Sequence, residues 1–263
     1  MKIFLKSALT SLLLIGCAVQ AQDERTLRVG SDITSPPYIY FDSNKQPSGF
    51  DAEFMQALAK TGNFKLQFND TRFENLILGL NANKFDVIAS SMFIKPERAK
   101  VIDFIPYADA GLGFAVKKGS TFQPEQPLQL CGKRVGIIKG AAYISTLSKA
   151  CSDAGKSIDI REFPTSAEAS QAVLSGNVDA QADDVAVLKV AMDKTQGRLI
   201  ISSKEILYPV VLGIGIAKNH PEIKAELEKA FTVIKGNGVY QKLLDKYHLA
   251  GPTSEQYQAA IGQ

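Results

Sequence analysis

The alternation of strand-like and helix-like segments along the whole chain is the feature that most restricts its fold. Residues 51–60 carry apolar side chains on one helical face and end at Gly62, whereas residues 85–89 form a short apolar run typical of a buried strand. The helix-to-strand junction at residues 80–87 recurs in similar form at residues 174–180. This alternation predicts an α/β protein whose mixed, mainly parallel sheets are flanked by helices, and the repeated junction suggests two similar lobes.

Length and charge agree with this organisation and narrow the class of partner. The 263 residues are 45% hydrophobic, which is enough chain to build two lobes with buried cores. The formal net charge is only +3, from 30 basic and 27 acidic residues, and no block of lysine and arginine occurs. We therefore expect no nucleic-acid partner.

The N-terminus has the pattern of an export signal. Two lysines precede an apolar run over residues 8–15, which is shorter than the roughly 20 residues needed to span a bilayer. The pattern predicts a secretory signal peptide over residues 1–21, cleaved after Ala21. A second possibility stays open, because residues 14–17 resemble a bacterial lipobox in which Cys17 would be lipidated. We expect a soluble periplasmic protein and keep the lipid anchor as the alternative.

The two cysteines beyond the export segment predict a disulfide. Cys131 and Cys151 remain in an exported chain, and disulfides form and persist in oxidising compartments. Two buried free thiols are the alternative. A catalytic cysteine is disfavoured because the two histidines, His220 and His248, lie near the C-terminus.

Several motifs occur in a fixed order from residue 27 to about residue 249. They are Leu-Arg-Val-Gly-Ser-Asp at 27–32, Pro-Pro-Tyr at 36–38, Gly-Phe-Asp at 49–51, Phe-Asp-Val-Ile at 85–88, Pro-Glu-Arg-Ala at 96–99, Val-Gly at 135–136 and Ser-Gly-Asn-Val-Asp-Ala at 175–180. The ordered set resembles family 3 of the bacterial extracellular solute-binding proteins, which serve polar amino-acid ABC transporters.

The resemblance implies the two-lobed type II periplasmic binding protein fold with a discontinuous first lobe. Lobe 1 would comprise residues 22–110 and 207–263, and lobe 2 would comprise residues 111–206. The chain would cross between the lobes twice, so that two linkers, near residues 111–113 and 205–208, form a hinge.

The resemblance also places the charged partners of an amino acid. Arg98 would hold the ligand carboxylate through its forked guanidinium. Gly140 precedes a predicted helix whose free N–H groups, near Ala142, would bind the same carboxylate. Asp184, at a strand-to-helix turn, would receive the α-ammonium, with Asp183 as the alternative or as a helix cap.

Four further positions are expected at the ligand by the same resemblance. Ser90 and Ser91 close a strand of lobe 1 and would contact the ligand through backbone and hydroxyl groups. Asp32 would point toward the side-chain pocket. Phe73 would form a wall or lid of that pocket, with a place in the core as the alternative.

Three departures from the family pattern bear on the ligand. The chain has Ala141 and Ala142 where the family commonly has serine or threonine, so hydroxyl donors are lost while backbone donors remain. Phe93 replaces a further serine or threonine and would narrow the pocket. Ser35 stands where an aromatic ring often stacks on the ligand, and it would widen the pocket.

The resemblance implies the periplasmic substrate-binding component of an ABC importer for a polar amino acid or close derivative. Such a protein closes its lobes on the ligand and docks on a permease in the inner membrane. We expect a monomer without a cofactor, a metal site or enzymatic activity. Ligand charge stays open, because Asp32 favours a cationic side chain, whereas Lys95 or Lys139 would favour an acidic one if it faced the cleft.

A rival from another class is an exported enzyme on the same fold, similar to cyclohexadienyl or arogenate dehydratases, because a fold does not determine a function. Candidate acids or bases for such an enzyme are Asp32, Asp183, Asp184 and Lys139.

Overall fold

The computed structural model describes residues 25–262, so the predicted signal peptide over residues 1–21 and Cys17 lie outside the described residues. The strands are β1 Thr26–Ser31, β2 Thr34–Ser35, β3 Ile39–Phe41, β4 Pro47–Ser48, β5 Lys65–Asp70, β6 Val87–Ile88, β7 Ile102–Lys117, β8 Arg134–Ile138, β9 Asp159–Phe163, β10 Ala180–Asp184, β11 Leu199–Ile201 and β12 Leu207–Ala217. The α-helices are α1 Phe50–Gly62, α2 Leu76–Asn81, α3 Pro96–Ala99, α4 Tyr143–Asp153, α5 Ser166–Ser175, α6 Val185–Lys194, α7 Pro221–Gly236, α8 Val239–Tyr247 and α9 Ser254–Ile261. Within the described range, no helix has both the length and the apolar composition needed to cross a membrane.

The largest sheet is mixed and joins two parallel groups of strands through two long antiparallel strands. Its order is β5-β1-β6-β12-β7-β10-β8-β9, with β11 paired to β7, and β2, β3 and β4 form a separate small sheet. β1 runs parallel to β5 and β6, and β8 runs parallel to β9 and β10. β7 and β12 lie antiparallel between the two groups. With helices on the sheet faces, this is the two-lobed α/β architecture that the sequence predicted.

The two segments predicted to be linkers are largely strand. Residues 111–113 lie inside β7, and β12 begins at Leu207, within the predicted linker 205–208. Glycine in the first segment permits close packing, because a Cβ at Gly113 would lie 2.9 Å from the Val185 side chain. The hinge at these two segments and the lobe boundaries stay predictions.

Aromatic side chains fill the core of the first lobe. Phe50 and Phe54 of α1 stack on Tyr107 of β7, with ring centroids 5.5 and 5.3 Å apart. Phe231 of α7 and Tyr240 of α8 meet edge to face at 4.9 Å, and both also contact Phe54. Each fully buried side chain of this size contributes about 1.5–3 kcal/mol, so burial of these rings holds the three helices on the sheet.

The repeated junction in the sequence corresponds to a repeated ion pair. In the first lobe the backbone N and the Nη2 of Arg28, on β1, donate to Asp86, just before β6, at 2.8 and 2.7 Å. In the second lobe the same two atoms of Arg134, on β8, donate to Asp179, just before β10, at 2.9 and 2.6 Å. Each pair connects two neighbouring parallel strands, so the two lobes share this local arrangement.

A disulfide joins Cys131 to Cys151 across 20 residues, which confirms the predicted pair. The alternative of two free thiols is therefore wrong. Cys131 precedes β8, and Cys151 is buried near the end of α4. The bridge fastens α4 to the segment that enters β8, and the N-terminal end of α4 belongs to the candidate site.

Candidate functional site

A cavity lies where the two lobes meet, and residues from both lobes line it. The lining consists of Ser35, Phe73, Ser91, Phe93, Ile138, Ala141, Ala142, Tyr143, Ser166, Ala182, Asp183, Asp184 and Val187. Among the site residues that the sequence predicted, the cavity brings together Ser35, Phe73, Ser91, Phe93, Ala142 and Asp184. The other three, Asp32, Ser90 and Arg98, lie outside this lining.

Asp184 ends β10 and caps α6, which begins at the next residue. Its carboxylate accepts a hydrogen bond from the backbone N–H of Ala186 at 2.8 Å, as a helix cap does. It also accepts from the Tyr38 hydroxyl and from the Gly111 N–H, each at 3.0 Å. Burial raises the pKa of Asp184, and these hydrogen bonds oppose the shift. One carboxylate thus connects its own helix with β7 and with the first lobe.

Asp183 lines the cavity beside Asp184. Its carboxylate accepts from the Ser166 hydroxyl at 2.5 Å, from the Gln181 side-chain N–H at 3.1 Å and from the Asp184 N–H at 2.8 Å. Removal from bulk water raises the pKa of Asp183 to about 6. Across residues 25–262, none of the ion pairs involves either Asp183 or Asp184. The cavity therefore contains two carboxylates whose hydrogen-bond donors are all uncharged.

Arg98, in α3, bridges the two lobes beside the cavity. Its guanidinium donates to the carbonyl oxygen of Phe93 at 2.9 Å and to that of Gly140, in the other lobe, at 3.1 Å. Its Cζ lies 5.5 Å from the centre of the Phe73 ring. Burial lowers the pKa of Arg98 to about 10, so the group is still charged at neutral pH. Its two protein acceptors are backbone carbonyls, and Glu97 acts on it only through a longer-range charge interaction.

The turn before α4 brings the lobes close together. Gly140 has φ +79°, and a Cβ there would lie 3.1 Å from Glu74 of the first lobe, so glycine permits this approach. Ala142 immediately precedes the first turn of α4, whose leading N–H groups have no acceptor within the helix. With alanine at this position, the donors that the turn offers are backbone N–H groups.

Asp32 follows β1 and Ser90 follows β6, and both lie next to the cavity. Asp32 is buried and accepts from the Thr34 hydroxyl at 2.7 Å and from the Phe73 N–H at 2.9 Å. Arg72 lies 3.1 Å from the same carboxylate and neutralises it, which the sequence did not reveal. The Ser90 hydroxyl accepts from the Asp32 N–H at 2.9 Å. A direct contact of either residue with a ligand stays a prediction.

The two lysines considered for an acidic ligand have protein partners in the other lobe. Lys139 Nζ lies 3.9 Å from the Glu74 carboxylate, and Lys95 Nζ lies 3.4 Å from the Ser145 hydroxyl. Neither lysine lines the cavity. The charged side chains that line the cavity are therefore Asp183 and Asp184, and Arg98 lies beside it.

Sequence reasoning missed a buried acid that supports the cavity wall. Asp51 of α1 accepts from the Ser91 N–H at 2.6 Å and from the Tyr107 hydroxyl at 2.7 Å. Burial raises the pKa of Asp51 to about 7. Ser91 has φ +43°, an uncommon conformation for serine, and the bond from its N–H to Asp51 helps to hold it there. The available signal was an acid inside the apolar face of a predicted helix.

Tyr143 was also missed. Its ring packs edge to face against Phe93 of the other lobe, with centroids 4.9 Å apart, and it lines the cavity. An aromatic residue directly after the Gly-Ala-Ala turn was the available signal.

As for metals, no group of three histidine, cysteine or acidic side chains within residues 25–262 is arranged to hold an ion.

Comparison with known proteins assigns this architecture to a family. Residues 27–250 match the model of the bacterial extracellular solute-binding proteins, family 3. The chain belongs to this family. A similar protein, the probable amino-acid-binding protein YxeM of Bacillus subtilis (strain 168), is 30% identical over 92% of this chain and 90% of its own length.

Solved structures similar to this family 3 protein have the same fold. An ancestral arginine-binding protein bound to arginine gives a TM-score of 0.79 at 32% identity, covering 84% of this chain and 97% of that one. The ancestral amino acid-binding protein AncCDT-1, a precursor of cyclohexadienyl dehydratase, gives a TM-score of 0.75 at 32% identity, covering 84% and 95%. The two-lobed type II periplasmic binding protein fold is thereby confirmed.

Proposed function

We propose that this family 3 solute-binding protein binds an amino acid in the cavity between its lobes. The observation that carries the proposal is the pair of carboxylates, Asp183 and Asp184, which line the cavity with no cationic side chain of the described residues paired to them. Charge that is removed from water and left unpaired is costly, so a ligand that brings a positive charge stabilises this site. The α-ammonium of an amino acid is such a charge.

Arg98 supplies the opposite partner. Its buried, charged guanidinium is held on the carbonyl oxygens of Phe93 and Gly140. A ligand carboxylate that replaced the Gly140 carbonyl would form a stronger, charge-assisted bond with the same N–H groups. The leading N–H groups of α4, beyond Ala142, add donors with the favourable end of a helix dipole.

Closure of the lobes on the ligand follows from the contacts that cross the cleft. Those contacts are Tyr38 with Asp184, Arg98 with Gly140, Lys95 with Ser145, and Lys139 with Glu74. They break when the lobes separate, and a ligand that touches both sides adds its own binding free energy to the closed state. We assign residues 22–110 and 207–263 to lobe 1 and residues 111–206 to lobe 2, with rotation at the crossing strands β7 and β12.

The balance of charges favours a ligand with a cationic side chain. Two carboxylates, Asp183 and Asp184, line the cavity and one cation, Arg98, lies beside it, so the ionised carboxylates outnumber this cation. A zwitterionic amino acid leaves this excess unchanged, whereas arginine or lysine neutralises it. Arginine is the ligand in the similar ancestral arginine-binding protein. Asp32 is not needed for this preference, because Arg72 neutralises it.

We place the mature protein in the periplasm, as a monomer that delivers its amino acid to an ABC permease in the inner membrane. The family is extracellular, and the pattern over residues 1–21 supports cleavage after Ala21. Mass spectrometry of the mature protein distinguishes the two processing routes. A mature N-terminus at Gln22 supports the signal peptide, and a lipidated Cys17 supports the lipid anchor instead.

Isothermal titration calorimetry with L-arginine, L-citrulline and L-glutamate tests the ligand. Arginine and citrulline have nearly the same shape but differ by one positive charge, so citrulline is the matched control. We expect arginine to bind tightest, citrulline at least tenfold more weakly and glutamate not measurably. A ligand at 100 times its Kd also adds about 2.7 kcal/mol of stability in a thermal-shift screen. Absence of any shift with the 20 amino acids would overturn the function, and equal affinity for arginine and citrulline would overturn the cationic assignment.

The exported dehydratase has less support as a function. AncCDT-1, the precursor of cyclohexadienyl dehydratase, is itself an amino acid-binding protein. Asp32, one of the acids considered for catalysis, is neutralised by Arg72 outside the cavity lining. Incubation with prephenate or L-arogenate is therefore expected to give no phenylpyruvate or phenylalanine above the buffer rate.

A further inference from the structure

One polar atom of the cavity has no partner in the protein. Tyr143 is 3% exposed, and its hydroxyl has no hydrogen-bond partner among residues 25–262. Buried tyrosine hydroxyls normally find a partner, and an unpaired one lowers the stability of the fold. The contrast with Tyr240 is direct, because that buried hydroxyl donates to the carbonyl oxygen of Tyr107 at 2.6 Å.

The position of Tyr143 points this hydroxyl to a ligand. It lines the same cavity as Asp183 and Asp184. Burial is the largest cause that raises the pKa of its hydroxyl, and the charges of these two carboxylates raise it further. The phenol therefore stays protonated and offers one O–H donor and two acceptor lone pairs. Its ring cannot turn away freely, because Phe93 packs against it from the other lobe.

The two carboxylates have too few free acceptor positions to bind a ligand ammonium by themselves. A carboxylate offers about four acceptor positions. Asp184 already accepts from Ala186, Tyr38 and Gly111. Asp183 accepts from three donors as well, the Ser166 hydroxyl, the Gln181 side chain and the Asp184 N–H. The Val187 N–H also bonds to Asp184, so about one position is left on Asp183 and none on Asp184, whereas a ligand ammonium brings three N–H donors and needs further acceptors.

We propose that the Tyr143 hydroxyl is a specificity-determining ligand contact, which completes with Asp183 and Asp184 the site for the ligand's ammonium. The inference rests on the proposed amino-acid binding and adds a further acceptor to it. The same hydroxyl keeps its O–H free to donate to a ligand oxygen. The hydroxyl has no partner within the described residues, and the bound ligand supplies one.

Tyr143→Phe tests this assignment because it removes the hydroxyl and keeps the ring on Phe93. The variant is expected to unfold at the same temperature as the wild type or at a higher one without ligand, since no hydrogen bond is lost. Its Kd, measured by calorimetry, is expected to rise at least tenfold, which corresponds to about 1.4 kcal/mol. L-Arginine, L-lysine, L-histidine and L-glutamine are each titrated as probes.

Tyr240→Phe is the matched control, because it removes a buried hydroxyl that has a partner outside the cavity. It is expected to show the opposite pattern, a lower unfolding temperature and a Kd within twofold of the wild type. If Tyr143→Phe binds its probe as tightly as the wild type does, the role of Tyr143 is refuted while amino-acid binding stands. A loss of stability without ligand equal to that of Tyr240→Phe also refutes it. If the wild type binds none of the four probes and none of the 20 amino acids shifts its unfolding temperature, the proposed function and this inference fall together.

Discussion

Acidification is expected to weaken the binding of L-arginine because it protonates Asp183. Removal from water raises the pKa of this carboxyl to about 6, and the charge of Asp184 adds to the shift. A bound cation favours the ionised carboxylate and brings its pKa back toward the ordinary range near 4. Binding is therefore linked to the loss of one proton between about pH 4 and pH 6.

The magnitude follows from the ionised fraction of Asp183 in the unliganded protein. With a pKa of about 6, roughly nine in ten of these carboxyls are ionised at pH 7, about half at pH 6 and about one in eleven at pH 5. The Kd for L-arginine is expected to rise about twofold from pH 7 to pH 6 and about tenfold from pH 7 to pH 5, or about 1.4 kcal/mol. The contribution of this group to stability without ligand has the opposite sign. Because its pKa is higher in the folded state than in the unfolded state, that contribution is lost as pH rises through about 4 to 6.

Calorimetry at pH 7, 6 and 5 measures this effect, and L-arginine keeps the same charge over that range. Asp183→Asn is the matched variant, which keeps the shape of the side chain and removes its titration. It is expected to bind more weakly at pH 7 and to lose most of the dependence on pH. A wild-type Kd that is equal at pH 7 and pH 5 would refute the reasoning, and so would a full tenfold change in the variant.

Three further sets of substitutions test Arg98, the close packing at Gly113 and the disulfide. Arg98→Ala is expected to raise the Kd for L-arginine at least 100-fold with an unchanged circular dichroism spectrum, because it removes the cation expected to meet the ligand carboxylate; an unaltered Kd contradicts this. Gly113→Ala is expected to lower the free energy of unfolding, measured by urea denaturation, by about 1–3 kcal/mol, because the new Cβ would lie 2.9 Å from an α6 side chain. Gly236→Ala is the control, because Gly236 has open space around it, and no loss of stability is expected. Equal stability of these two variants would contradict the packing argument. Replacing Cys131 and Cys151 together by serine is expected to lower the stability by about 3 kcal/mol, as measured by thermal unfolding. A wild type whose unfolding temperature does not change with reductant would argue against the bridge.

The helices and strands could be predicted from the sequence because their causes are local. α5 begins after a capping box formed by Thr165 and Glu168 and ends at Gly176 in the left-handed conformation, all within one turn of each end. The cysteine pair and the ordered motifs are likewise contained in short stretches of chain. Ala142 and Asp184 lie at the cavity because each stands where a helix begins.

Only the tertiary structure decided which charged groups are already paired. Asp184 takes two of its partners, Tyr38 and Gly111, from 146 and 73 residues away. Asp32, which the sequence placed at the ligand, is neutralised by Arg72, while Asp183 receives only uncharged donors. Desolvation and partner choice depend on segments that meet only when β7 and β12 bring the two lobes together. The sequence by itself therefore determined the order of the elements and the family, and long-range packing determined which charges remain for a ligand.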